Sequence, residues 1–138
     1  MQLTQWVLAL SNLVGLPSFF RLWFAGKYGH AGVMMWVMGS SFMMHLTETK
    51  HDFKFPIHRL SQFFLNQDRV MSVVVGGYCA YLWYQKPQYN LILPGLLGIA
   101  CVMIGEIRTR DVVFNQLVYP FLHSIWHFVV YYNLSQLL

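Results

Sequence analysis

Five apolar segments, residues 3–24, 28–46, 68–84, 91–107 and 112–132, run through this chain, each close to the roughly 17 to 25 residues that carry a helix across a bilayer. Hydrocarbon offers no partner for an unpaired backbone N–H or C=O, so segments of this kind must be helical. Only 10% of the residues are charged and 57% are hydrophobic, whereas a soluble domain carries about a quarter charged. The sequence therefore predicts an all-α fold: an integral membrane helix bundle of about five transmembrane helices, forming a single domain over residues 1–138.

Within the first segment Pro17 predicts a kink, because it removes one backbone donor, and Trp6 and Trp23 suit interfacial anchors. It carries no basic leader or small-residue cleavage site, so it is read as a retained span rather than a signal peptide. Gly26-Lys27-Tyr28-Gly29 predicts a tight turn back. The second segment is rich in methionine (Met34, Met35, Met38, Met43, Met44), read as adaptable packing rather than soft-metal ligation.

Residues 47–67 form the longest connection. Leu60, Phe63 and Phe64 share one helical face there, which predicts a short amphipathic helix lying in the interface, and His51 and His58 read as surface histidines. In the third segment Asp68 is followed at every fourth residue by Ser72, Gly76 and Ala80, a small-residue stripe of the sort that lets membrane helices approach closely. Asp68 itself fits two readings equally by position, an interfacial helix N-cap and a functional acid aimed at the stripe's partner.

Five spans put the N-terminus and the second and fourth loops on one side. Six of the nine basic residues lie there (Lys50, Lys54, Arg59, Arg69, Arg108, Arg110), against Arg21, Lys27 and Lys86 toward the other. The positive-inside rule makes that side cytosolic, or the equivalent matrix or stroma. The net charge of +4 is scattered, and no basic run with interleaved aromatics points to nucleic acid. Cys79 and Cys101 fall in the middle of different apolar segments and offer neither a disulfide framework nor a CxxC site.

Ionisable groups inside apolar segments are expensive and by default functional. His123 and His127, at i and i+4, stand one above the other about 6 Å apart on a helix face, a spacing at which two imidazoles can hold one ion. Ser41 and His45 repeat that spacing at the end of the second segment. Topological parity puts His45, Asp68 and the start of the fifth span on one side. His123 would lie about 18 Å along a fifth helix beginning near Asp111, deeper than Asp68.

Three neutral imidazoles leave zinc its full charge and a fourth position for a water whose pKa falls to roughly 7. Asp68 would then serve as general base and later as acid. Ser41 would hydrogen-bond the substrate oxyanion or orient Asp68. The run His123-Ser124-Ile125-Trp126-His127 lacks the Glu that a zincin carries after its first His, so the base must come from elsewhere in the chain.

The pattern Ser41-x3-His45, Asp68 at the start of the next span and His123-x3-His127 in the last span resembles the CREST superfamily of membrane hydrolases. That superfamily includes the alkaline ceramidases, the adiponectin and progestin receptors, the post-GPI-attachment phospholipase and myomaker. The His-Ser-Ile-Trp-His run looks closest to the phospholipase and myomaker branch. The resemblance implies zinc on His45, His123 and His127, with Ser41 and Asp68 beside the metal water, and hydrolysis of a lipid amide or ester bond. The family has seven spans where this chain shows five, so the resemblance is to a reduced member. The missing pair would fall between Asp68 and His123, which preserves the sidedness of the site.

Three other readings stay open on sequence alone. One is a small structural or accessory subunit of a larger membrane protein complex, with a relict or structural zinc site. The second is haem ligation by histidines on facing helices. The third has wholly structural histidines, bonded to backbone carbonyls or to a tyrosine such as Tyr119 or Tyr131.

Overall fold

The computed structural model describes residues 3–47, 60–105, 107 and 110–138, and among these it is all helices joined by short turns, with no strand. The first apolar segment is one broken rod: α1 (Leu3–Ser11), a 3-10 turn (Asn12–Gly15) and α2 (Leu16–Phe24). Where the sequence predicts a kink, the α-helical hydrogen bonding is interrupted by the 3-10 turn, upstream of Pro17, which stands in the first turn of α2. Proline cannot donate to the carbonyl four residues back and its ring crowds that carbonyl, so the helix gives way in the preceding turn.

The rod ends in a glycine cap. Gly26 has φ 72°, and Gly26 N donates to Trp23 O at 3.0 Å and Lys27 N to Leu22 O at 2.9 Å. This is the paired arrangement of a Schellman motif, which needs a residue without a Cβ at the left-handed position.

The chain then runs up α3 (Tyr28–Thr47), down α4 (Ser61–Gln85), up α5 (Ile92–Gly105, entered by a 3-10 turn at Tyr89–Leu91) and back through α6 (Tyr119–Leu137). A π-helical turn, Phe114–Val118, leads into α6, and Asp111 Oδ1 caps that run by accepting from Phe114 N at 2.7 Å. Pro120, in the first turn of α6, lacks the donor an α-helix would send to the carbonyl of Gln116, which accounts for the widened turn just before it.

Two sequence expectations change here. Phe63 and Phe64 are not on a separate interfacial helix: with no proline or glycine between Pro56 and Gly76 they become the opening turns of α4, and Leu60 is its N-cap residue. Residues 48–59, with His51 and His58, lie outside the described residues, as do Glu106 and Arg108. Asp68 is consequently no N-cap. It lies seven residues into α4, about 10 Å along the axis, which removes most of its depth mismatch with His123.

α3 packs against α1, α2 and α4, α6 packs against α5 and α1, and α4 meets α6 only sparsely. Ala31, Met34, Val37 and Met38 from α3, Met71 and Val75 from α4, and Tyr131 and Leu134 from α6 form the core. Met34, Met38 and Met44 are buried, which agrees with a packing role for the methionines. At the far end, Arg21 donates to the carbonyl of Ser135 and Gln88 Nε2 to that of Gln136 at 3.2 Å, satisfying acceptors that the end of a helix leaves open.

The small-residue stripe of α4 does not mediate close packing. Nothing among the described residues comes within 4 Å of where a Cβ would stand on Gly76, and Ser72 and Gly76 line a cavity. Close approach occurs at Gly98 of α5, where a Cβ would meet Val129 Cγ1 at 2.8 Å and Trp126 Cε3 at 3.1 Å. Thr4–Phe24 is the one described run both long and apolar enough to be a membrane span or a signal sequence by length and composition, and Tyr89–Gly105 is a shorter apolar helix.

Gly98→Ala should therefore overpack the α5–α6 contact and lower stability by about 1–3 kcal/mol. Gly77→Ala, where nothing lies within 4 Å, should be neutral or stabilising by up to about 1 kcal/mol through helix propensity. Thermal unfolding of the two variants in detergent checks this, and equal losses would contradict the packing described.

Candidate metal centre

The site begins with two stripes. On α3 the inward residues Ala31, Met34, Met38, Ser41 and His45 recur at three and four, so the face that packs also carries the hydroxyl and the imidazole. On α6 the inward residues recur at four: Tyr119, His123, His127 and Tyr131. Where the stripes meet, His45 is inserted against both histidines of α6. Ring centroids are 4.8 Å apart for His45 and His123, 5.2 Å for His45 and His127, and 4.9 Å for His123 and His127.

All three histidines are buried, His45 completely. Each offers a ring nitrogen, and those three atoms lie within 4.8 Å of one another. Zinc–nitrogen bonds of 2.0–2.1 Å at a tetrahedral angle would bring such atoms to about 3.4 Å, a change within the reach of side-chain rotation. The donor set, three imidazoles with no competing carboxylate inside the cluster, suits a borderline transition metal ion. These residues therefore fit a metal ion.

Of the two polar partners, Ser41 is buried at the cluster, its Oγ 3.3 Å from His127 Nε2. Asp68 is half-buried and lines a cavity of about 580 Å³ together with Ser41, His123 and His127. All five residues picked from the sequence thus converge: three in the cluster, Ser41 against it and Asp68 facing the same cavity. The cavity runs between α4 on one side and α5 and α6 on the other, with apolar walls that include Val75, Ile99, Val102 and Val130 and with Ser61, Gln62 and Arg69 near the start of α4.

Two contributors were missed. Ser11 Oγ is 2.7 Å from His127 Nδ1, and Asn12, completely buried, accepts a hydrogen bond from Tyr131 Oη at 2.7 Å through Oδ1. The signal was present as a Ser-Asn pair in the middle of an apolar segment, where polar side chains need a partner. Tyr131 does serve as a structural partner, but to Asn12, while its ring lies tilted beside that of His127 with centroids 6.3 Å apart.

No protein-family model, curated protein or solved structure matches the chain.

Tyr131→Phe should leave Asn12 Oδ1 buried without its donor and cost about 1–3 kcal/mol. Tyr132→Phe, at an exposed neighbour, should stay within about 0.5 kcal/mol of the wild type. Equal stability of the two variants in thermal denaturation would rule out the Asn12–Tyr131 tie.

Proposed function

We propose that this chain is an intramembrane zinc-dependent hydrolase of a lipid amide or ester bond. The observation that carries the reading is the buried cluster of His45, His123 and His127 at the edge of a cavity that Ser41 and Asp68 also line.

Support for the membrane comes from the surface. Phe24, Val73, Leu93, Met103, Leu117 and Phe121, on or beside four different helices, are each at least 65% exposed. An apolar surface of that extent suits lipid rather than water. The first rod belongs to the working protein in this reading, because its Ser11 and Asn12 contact the α6 stripe. The topology proposed is five spans with the N-terminus and the Asp68 end on the cytosolic, matrix or stromal side, as the distribution of basic residues favours.

Zinc held by His45, His123 and His127 would supply a Lewis acid and a water acidic enough to ionise near neutrality. The chain's own groups do the rest. Asp68 takes the proton from the water whose oxygen attacks the substrate carbonyl carbon. It returns that proton to the amine or alcohol as the carbon–nitrogen or carbon–oxygen bond breaks. Ser41 donates a hydrogen bond to the carbonyl oxygen as negative charge gathers there. The apolar walls hold an acyl chain beside these groups, out of bulk water. The resemblance of the Ser41, His45, Asp68, His123 and His127 pattern to the CREST hydrolases favours the same chemistry.

The test is fatty-acid release from a panel of ceramides and phospholipids in detergent micelles by the purified chain. Asp68→Asn should lower the rate by about 10²–10⁴-fold while leaving the metal content unchanged, because Asp68 is not a ligand. No release from any substrate by the metal-loaded wild type, or equal release by Asp68→Asn, would overturn the assignment.

A further inference from the structure

We infer that Ser11, on the broken first rod, is a positioning residue that fixes the tautomer of His127 and turns its Nε2 toward the metal. The inference rests on the metal reading above and adds to it a residue from outside the two helices that carry the ligands.

The hydrogen-bond arithmetic is restrictive. A serine hydroxyl has one proton. Ser11 Oγ lies 2.7 Å from the carbonyl oxygen of Leu8, which can only accept, so the proton goes there. The second 2.7 Å contact, to His127 Nδ1, must then be donated by the ring. His127 therefore carries its proton on Nδ1 and its lone pair on Nε2, the atom 3.3 Å from Ser41 Oγ. That is the tautomer a ligand needs when it binds metal through Nε2, and an acceptor on the remote ring N–H is the usual way of enforcing it.

The placement of Ser11 does not depend on His127. Asn12 Nδ2 donates to the same Leu8 carbonyl at 3.1 Å, and Asn12 Oδ1 takes the proton of Tyr131, one turn beyond His127. Two adjacent residues of the rod thus grip two residues one turn apart on α6. Gly15, at the end of the 3-10 turn, keeps the rod close to α6: a Cβ there would stand 3.1 Å from Tyr131 Cδ1 and 2.5 Å from Met38 Sδ.

The experiment compares the full-length wild type with Ser11→Ala and Ser11→Thr in detergent, measuring zinc affinity by competition with a chromophoric chelator. Ser11→Ala should weaken zinc binding about 10–100-fold, and Ser11→Thr, which keeps the hydroxyl, should restore most of it. Nitrogen-15 spectra of histidine-labelled, metal-free wild type should show His127 protonated at Nδ1, a readout available even if Ser11→Ala fails to fold. Equal zinc affinity of Ser11→Ala and wild type, or a His127 proton on Nε2, would overturn the positioning role while leaving the metal site standing. A wild type that takes up no zinc would overturn the metal reading itself.

Discussion

Three imidazoles buried within 5.2 Å of one another, centroid to centroid, set the terms for everything around them. A polar ring taken out of water must find partners or lose free energy, and three together in an apolar bundle multiply that cost. The bundle answers by giving His127 a hydroxyl on either side, Ser11 at Nδ1 and Ser41 at Nε2, and by leaving the three rings close enough to share one ion. The stripes on α3 and α6, and the capped turn at Gly26 that returns α3 alongside the first rod, bring these groups to one place.

Small residues divide the molecule into a tight half and an open half. Gly15 and Gly98 sit where helices press together, and each would force a neighbour to move if it carried a Cβ. Ser72 and Gly76 do the opposite: with α4 only sparsely in contact with α6, their missing bulk becomes cavity volume. Asp68 stands on that same open face. A rigid cluster beside a hollow is the arrangement a site needs if its ligands are to hold still while a substrate comes and goes.

Much of this was legible in the sequence because helical periodicity is legible. The i and i+4 spacing of His123 and His127, and of Ser41 and His45, is a local property that holds once the segments are helices. The meeting of His45 with the α6 pair followed from parity and from the cost of burying ionisable groups in apolar segments. What could not be read were properties set between helices. The polar stretch Asn66-Gln67-Asp68-Arg69 reads as a boundary between an interfacial helix and a membrane span, whereas α4 runs through it without interruption and carries Asp68 two turns inside. The stripe Ser72, Gly76, Ala80 has the same spacing whether it packs or lines a void, and only the position of α5 and α6 decides. Ser11 and Asn12 gain meaning only from the packing of the first rod on α6, which puts them beside His127 and Tyr131.

The most direct test of the account is the metal content of the purified chain, prepared without chelators, for the wild type beside His127→Ala. The cluster predicts about one zinc ion per wild-type chain and essentially none in the variant, since two imidazoles remain where a tetrahedral site needs at least three protein ligands. Metal-free wild type, or the same metal content in both, would contradict a three-histidine centre.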